Sequence, residues 1–155
     1  MSGASSVEET AVRIPAGGVH LDGILAIPEG TASVVLFVHG SSSSRLSPRN
    51  RQVASALQAH GLATLLFDLL EAADRGVRDA DRRRVFDIPL LARRLTEAID
   101  WAQAQQALAA LPVGLFGAST GAAAALLASA LRRDRVFAVV SRGGRPDLAH
   151  RALSA

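Results

Sequence analysis

The residues best suited to covalent chemistry form a short serine segment flanked by glycines. It reads Gly117-Ala118-Ser119-Thr120-Gly121 and fits the pattern G-x-S-x-G. In that pattern the serine occupies a strained turn between a strand and a helix, where its hydroxyl can attack an acyl carbon. The pentapeptide alone is weak evidence, since glycine, alanine and serine are common in this chain. An apolar run directly before it and an alanine-rich stretch directly after it make Ser119 a candidate nucleophile.

A nucleophile of this kind also needs backbone N–H groups that stabilise the negative charge of a reaction intermediate. One such group belongs to the residue after the nucleophile, here Thr120, and the other to the loop after an earlier strand. The apolar run 34–38 ends in His39, Gly40 and Ser41, and the Ser41 N–H is our candidate for the second donor. We interpret His39 as a buried histidine that fixes this loop by hydrogen bonds, rather than as a catalytic base.

The strands that must hold these groups are marked by short apolar runs. An antiparallel pair is predicted first, over residues 9–14 and 19–27, with its turn at Gly17 and Gly18. The later runs are continuous, which is typical of strands buried on both faces of a parallel sheet. They cover residues 34–38, 63–67, 113–116 and 136–140.

Helices are predicted between these later strands. Ser47 is a plausible N-cap before Pro48, and Gly61 stops the helix that follows. Asp87 caps a second helix, and a third follows Ser119. Because strands and helices alternate, we predict one α/β domain over residues 1–155, with a mostly parallel sheet and flanking helices.

Polar residues follow several of the predicted strands at the point where each strand ends. They are His39, Asp68, Ser119 and Ser141. The carboxyl ends of parallel strands meet at one edge of a sheet, where ligand chemistry gathers. We expect a hydrogen bond from Asp68, or from the nearby Glu71, to stabilise the loop that carries the oxyanion donor.

The composition excludes several kinds of site. The chain has no cysteine, no lysine and no tyrosine. Disulfides, thiolate metal sites, a Walker A phosphate loop, a Schiff-base lysine and a tyrosine acid are therefore excluded within it. No metal-ligand spacing is present, so neither a metal nor a cofactor is expected.

Charge and hydropathy argue against nucleic acid and membranes as partners. The formal net charge is only +3, and we interpret the arginines at 82–84 and at 132, 133 and 135 as solvated loops and helix ends. No run of about 18 apolar residues exists for a membrane span. The first ten residues lack the basic and apolar regions of a signal peptide, so a cytoplasmic location is expected.

Several segments together resemble the dienelactone hydrolase-like α/β-hydrolases, over about residues 12–148. The resemblance implies a hydrolase-type sheet of eight strands, a nucleophile at Ser119 and hydrolysis of ester- or lactone-type acyl bonds in a small substrate. The best-known members have cysteine at this position, so Ser119 departs from them in a way that bears on the substrate rather than the reaction type. The matching segments are Val34 to Gly40, Ser47-Pro48-Arg49-Asn50, Phe67-Asp68-Leu69-Leu70, Phe86-Asp87-Ile88-Pro89 and Leu115 to Gly121.

The pattern is incomplete after the nucleophile. In this family the triad order is Ser, then an acid, then His, yet residues 120–155 hold one further strand where the resemblance implies three and a final helix. We therefore expect a domain truncated after its sixth strand. Asp147 and His150 are weak candidates for acid and base, because residues so close in sequence could hardly both reach their places around Ser119. A surface segment is the favoured interpretation, and neither His20 nor His60 is expected to be a base.

The same incompleteness has a consequence for assembly. The strand from Val136 to Val140 becomes an apolar edge, and unpaired edges invite pairing with other chains. We predict a homodimer or a partner chain through this strand.

Three functions remain open from the residues. The first is a serine hydrolase that acts through an acyl-enzyme on Ser119, with a histidine supplied from outside this chain. The second is a catalytically inactive fragment or interaction subunit with the same fold. The third, a dinucleotide binder using Gly114, Gly117 and Gly121 with Arg142 on a 2′-phosphate, is disfavoured because G-x-G-x-x-G is absent.

Overall fold

A mixed sheet of six strands forms the centre of the computed structural model, which describes residues 7–71, 83–84 and 86–150. The strand order is β1-β2-β4-β3-β5-β6. The last four strands in the chain run parallel, and the first two form an antiparallel pair beside β4. The predicted α/β architecture is therefore confirmed. The strands are β1 Glu9–Ala16, β2 Val19–Ala26, β3 Val34–Val38, β4 Ala63–Phe67, β5 Val113–Ala118 and β6 Val136–Arg142.

Three α-helices of the described residues flank the sheet: α1 Pro48–Ala59, α2 Ile88–Ala104 and α3 Thr120–Leu131. A short 3₁₀-helix, Pro146–Ala149, follows β6. The larger part of the core includes residues of α2 and α3, and a smaller cluster includes α1. Five alanines of α3 are buried, which lets this helix lie close to the sheet. They are Ala122, Ala123, Ala124, Ala125 and Ala128.

The helix boundaries follow the predicted capping residues. The Ser47 Oγ accepts a hydrogen bond from the Asn50 N–H at 3.3 Å, which satisfies one of the free donors in the first turn of α1. At the other end Gly61 adopts φ +78°, and the Leu62 N–H donates to the Leu57 carbonyl at 3.1 Å. That combination is a Schellman motif, which favours glycine at the left-handed position. Asp87 caps α2 by accepting from the Leu90 N–H at 3.0 Å.

The predicted strands are confirmed, with one difference in burial and four in extent. β2 ends one residue earlier than predicted, at Ala26, and β5 ends two residues later, at Ala118. β1 continues to Ala16, up to the turn at Gly17 and Gly18, where φ is +56° and +84°. β6 extends to Arg142 and is not buried on both faces as its continuous apolar run predicted. It pairs only with β5 among the described residues, and Phe137 is 77% exposed. Most of the segment between β4 and α2 lies outside the described residues.

Candidate active site

Ser119 lies at the junction of β5 and α3 in a strained backbone conformation. Its φ is +52° and its ψ is −122°, and it is the one non-glycine residue with positive φ in the described ranges. Such a conformation is costly for a residue with a side chain and persists only where the surrounding structure enforces it. The half-buried Ser119 therefore has the backbone geometry that the G-x-S-x-G pattern predicts.

The two glycines of this pattern are required by close packing. A Cβ added at Gly121 would lie 2.1 Å from the Val38 carbonyl oxygen, at the end of β3. A Cβ at Gly117 would lie 2.6 Å from the Ala122 Cα in the first turn of α3. Neither position has room for a side chain. The turn is thus held tightly between the sheet and its own helix.

The loop after β3 lies against Ser119. A Cβ placed on Gly40 would be 3.2 Å from both the Ser119 Cβ and the Ala118 carbonyl oxygen. Only glycine avoids this crowding without a shift of its neighbours. The contact brings the residues after Gly40, beginning with Ser41, beside the turn that carries Ser119.

Ser41 and Thr120 share a narrow crevice next to this contact. Within the described part of the chain, neither backbone N–H has a hydrogen-bond acceptor, so both are free to donate to a ligand. Thr120 is the first residue of α3, where N–H groups have no partner inside the helix. The crevice is lined by His39, Gly40, Ser41, Leu69, Leu70, Leu91 and Thr120.

His39 is buried and fixes the loop, as predicted. The Leu69 N–H donates to its Nε2 at 3.0 Å, and its Nδ1 lies 2.8 Å from the Gly40 carbonyl oxygen. Because a backbone N–H can only donate, Nε2 must accept, and the ring proton therefore sits on Nδ1 and is donated to Gly40. Both ring nitrogens of His39 are engaged in the structure, which leaves neither for proton transfer from Ser119.

Asp68 stabilises the same loop from the end of β4. Its carboxylate accepts from the Arg45 N–H at 2.7 Å and forms an ion pair with the Arg45 guanidinium. Asp68 is only 4% exposed, so this is a buried anchor rather than a surface contact. The predicted hydrogen bond is confirmed, but Arg45 was not singled out from the sequence. A carboxylate directly after a buried strand, facing an arginine-bearing loop, is the signal that could have indicated it. Glu71, the other carboxylate predicted here, is half-buried.

Asp147 and His150 lie on the segment after β6. The Asp147 carboxylate accepts from the Arg145 guanidinium at 2.7 Å, and this hydrogen bond lowers the pKa of Asp147 below its ordinary value. Both Asp147 and His150 are exposed, and neither lines the crevice. The backbone of this segment contacts the turn at Ser119. The Arg145 N–H donates a hydrogen bond to the Ser119 carbonyl oxygen at 3.4 Å.

The other histidines lie on elements away from the turn. His20 is an exposed residue of β2, in the hairpin with β1. His60 ends α1, where its Nδ1 lies 2.8 Å from the Ala56 carbonyl oxygen.

Arg142, at the end of β6, contacts a strand residue and a helix residue beside the turn. Its guanidinium carbon lies 5.9 Å from the centre of the Phe116 ring, and its Nη2 donates to the Asn50 Oδ1 at 3.3 Å. Its backbone carbonyl accepts from the Ser119 N–H at 3.4 Å. This placement gives no support to the alternative in which Arg142 meets a nucleotide phosphate.

Arginines at the C-terminal end of α3 form surface ion pairs. Arg132 donates to the Asp100 carboxylate at 2.8 Å, and Arg135 pairs with Asp134 at 3.0 Å. The hydrogen bond from Arg132 lowers the pKa of Asp100. Of the other predicted arginine cluster, Arg82 lies outside the described residues.

In residues 7–71, 83–84 and 86–150 no group of three or more acidic or histidine side chains could hold a metal ion. No helix of those ranges has the length and apolar character to cross a membrane.

Comparison with known proteins places the chain beside hydrolases of known structure. The crystal structure of a dienelactone hydrolase from Anabaena variabilis is 53% identical in sequence and superposes with a TM-score of 0.91, over 96% of this chain and 68% of that one. An esterase structure from Pyrococcus furiosus is 21% identical with a TM-score of 0.70, over 90% of this chain and 51% of that one. The second likeness shows the fold alone.

Curated relatives carry a different name. Two Mycobacterium tuberculosis proteins, from different strains and provisionally named phosphoribosyl transferases, are each 52% identical over 147 residues. The match covers 95% of this chain, but the chain spans only 32% of the length of each relative. No family model matches the chain.

Proposed function

Because this chain belongs to the dienelactone hydrolase-like family of α/β-hydrolases, we propose that it carries the nucleophile of a serine hydrolase for ester- or lactone-type acyl bonds. The observation that supports this most is the strained backbone of Ser119, with φ +52°, pressed against Gly40 of the loop after β3. Such a backbone conformation is unfavourable, and residues that adopt it cluster at active sites. The substrate is proposed to be a small acyl compound.

The reaction begins with attack of the Ser119 Oγ on the carbonyl carbon of the substrate. The carbonyl electron pair moves to the oxygen, and the resulting oxyanion accepts hydrogen bonds from the Ser41 and Thr120 N–H groups. The N-terminal end of α3 adds a favourable dipole beside this charge. Collapse of the intermediate expels the alkoxide and leaves an ester on Ser119, which water then hydrolyses.

A base must accept the Ser119 proton in the first step and return it to the leaving group. The chain has four histidines. Both ring nitrogens of His39 form hydrogen bonds with the backbone around the loop, and His20 and His60 lie on elements away from the turn. We propose that the imidazole comes from a histidine outside this sequence, oriented by a carboxylate that is likewise outside it. Asp147 and His150 stay as weaker candidates, since both are exposed on the segment after β6.

The name of the mycobacterial relatives raises a second activity, phosphoribosyl transfer. The chain matches about a third of each of those proteins. We propose that their name describes the remaining parts. The matched part carries a nucleophile turn and an oxyanion pair, which suit acyl transfer.

A second candidate is a fragment without turnover of its own. It is favoured by the exposed position of His150 and by the engagement of His39 within the loop. Residual catalysis of roughly a thousandfold over water can survive the loss of triad members in other serine hydrolases. Slow acylation of Ser119 would therefore distinguish a hydrolase part with a reactive serine from a fragment that has the fold but no reactivity.

A fluorophosphonate probe tests the proposal under native conditions. We expect mass spectrometry to find the phosphonyl adduct on Ser119, and Ser119→Ala to abolish it. Ser129→Ala is the matched control, because the Ser129 hydroxyl on α3 donates to the Leu126 carbonyl at 2.8 Å and has no role in the site. Labelling of Ser129→Ala should equal that of the wild type. A folded wild-type chain that is never labelled at Ser119 would refute the proposal.

The exposed edge strand β6 leads to a proposal about assembly. Phe137 is 77% exposed and Val140 is 53% exposed, on a strand with one free hydrogen-bonding edge in the described structure. We propose that a second copy of the chain pairs there. Sedimentation equilibrium should show a dimer that Phe137→Glu weakens. A monomer at high protein concentration would contradict it.

A further inference from the structure

One polar group in the crevice has no role in the reaction described so far. Thr120 is 2% exposed, and its Oγ1 has no hydrogen-bond partner in the structure. A threonine inside a helix usually donates to a carbonyl three or four residues earlier. Thr120 is the first residue of α3, so those carbonyls belong to β5, which is paired with β3 and β6. The hydroxyl therefore lacks the usual acceptor.

An unpaired buried hydroxyl is unfavourable, because it has left water without gaining a replacement bond. A methyl group of the same size would fit this position without that cost. Packing alone therefore does not explain why a hydroxyl group, and not a methyl group, is buried at this position. The location of Thr120 in the crevice, together with Ser41, supplies one.

We propose that the Thr120 hydroxyl is a third donor to the oxyanion, alongside the N–H groups of Thr120 and Ser41. This role rests on the proposed hydrolase function. A single residue would then present two donors, N–H and O–H, to the charge that forms when Ser119 attacks. Thr120 is thereby a further catalytic residue of this site.

The apolar surroundings strengthen a hydrogen bond to the charged intermediate more than one to the neutral substrate. Three leucines, Leu69, Leu70 and Leu91, line the crevice with Thr120. In such an apolar setting a hydrogen bond to a full negative charge is much stronger than one to a neutral carbonyl. The hydroxyl thus stabilises the intermediate more than the bound ester, as catalysis requires.

Two variants of Thr120 separate this role from a packing role. Thr120→Val keeps the shape and the backbone N–H but removes the hydroxyl, while Thr120→Ser keeps the hydroxyl. The readouts are the rate constant for phosphonylation of Ser119 by a fluorophosphonate and the melting temperature. In that reaction the Ser119 Oγ–P bond forms, fluoride leaves, and the serine proton passes to buffer base.

We expect Thr120→Val to react roughly 10- to 100-fold more slowly, somewhat less than the loss of a side-chain oxyanion donor in another serine hydrolase. Its melting temperature should equal or exceed that of the wild type, because an unpaired buried hydroxyl has been removed. Thr120→Ser should react within about threefold of the wild type.

Thr96→Val is the matched control. Thr96 is also buried, but its hydroxyl donates to the Arg93 carbonyl at 2.7 Å on α2, away from the crevice. Its phosphonylation rate should be that of the wild type. An unchanged rate for Thr120→Val, or a lowered melting temperature as the sole change, would overturn the role of the hydroxyl. Failure of the wild type itself to react at Ser119 would instead overturn the proposed function and this role with it.

Discussion

Two segments follow parallel strands on either side of β5, and they differ in how their polar residues are held. The β3 loop, residues 39–47, is fixed by His39 and Asp68, which are 5% and 4% exposed. The β6 tail, residues 143–150, packs through the buried Ala149, but in its ion pair the Arg145 and Asp147 side chains are 54% and 58% exposed. Both segments touch the backbone of the turn at Ser119.

The β3 loop and the β6 tail lie at the same edge of the sheet, yet only the loop is held by buried hydrogen bonds. A place at this edge is therefore not enough to fix a polar group in the orientation that catalysis needs. A buried hydrogen bond that loses one partner costs about 1–3 kcal/mol, whereas an exposed ion pair contributes about 0–1 kcal/mol. The β3 loop can therefore hold an N–H group in a fixed direction before substrate binds. The exposed ion pair between Arg145 and Asp147 on the β6 tail gives no comparable restraint.

The largest effect is expected at the contact between the β3 strand end and the turn. Gly121→Ala would place a Cβ 2.1 Å from the Val38 carbonyl oxygen, so either the helix or the strand must move. We expect a loss of about 3 kcal/mol or more in the free energy of unfolding. Urea denaturation measures it.

Gly114→Ala is the control for this substitution. Gly114 lies on β5, the strand that leads into the turn, and a Cβ there would meet its nearest atom, a Val35 methyl, at an ordinary 3.7 Å. Its stability should stay within about 0.5 kcal/mol of the wild type. Equal stability of Gly121→Ala and Gly114→Ala would show that the turn is not packed as described.

His39 provides the direct comparison between the two segments. His39→Ala leaves the buried Leu69 N–H and Gly40 carbonyl without their partner, and about 2 kcal/mol of stability should be lost. His150→Ala on the β6 tail should change stability by less than about 0.5 kcal/mol. Chemical denaturation of the two variants side by side is the measurement. Similar losses for both would remove the distinction between the β3 loop and the β6 tail.

A smaller effect is expected for Asp68→Asn. The amide oxygen can still accept from the Arg45 N–H, but the charge that pairs with the partly exposed guanidinium is gone. We expect a loss of about 1 kcal/mol, together with faster tryptic cleavage after Arg45. Cleavage at an unchanged rate would mean that Asp68 does not restrain the β3 loop.

The smallest effect is expected for Asp147→Asn on the β6 tail. The hydrogen bond from Arg145 lowers the pKa of Asp147, so any stabilisation from this pair is present at neutral pH and lost as the pH falls through the lowered value. Because the pair is solvent-exposed and therefore screened by water, we expect the melting curves of variant and wild type to coincide from pH 7 down to acid. A gap at pH 7 that closes in acid would show that the tail is more firmly held than we infer.

Much of the β3 loop and of the turn could be predicted from the sequence, because local rules govern them. Capping residues such as Ser47 and Asp87, and the glycines of the turn, act on neighbours within a few positions. The pairing of Arg45 with Asp68 could not be predicted in this way, since these residues are 23 positions apart and meet only in the folded sheet. The unpaired hydroxyl of Thr120 likewise depends on how three elements meet.

The burial of β6 could not be predicted, for a different physical reason. A continuous apolar run indicates a strand, but the run is the same whether or not another strand covers its edge. Phe137 and Val140 satisfy the pattern and are nevertheless exposed. Sequence periodicity indicates which faces of a strand are apolar, but it does not indicate whether another strand pairs with its edge.

The buried alanines of α3 determine how closely this helix lies against the sheet, although none of them lines the crevice. Ala123, Ala124 and Ala128 are completely buried, so a bulkier residue at any of them must push the helix outward. The Thr120 amide begins that same helix and would travel with it, while the Ser41 amide belongs to a separate loop. Interior substitutions one to two turns away could therefore move apart the two amides that we propose as oxyanion donors, so that the rate of the proposed reaction falls while every residue around the crevice is unchanged.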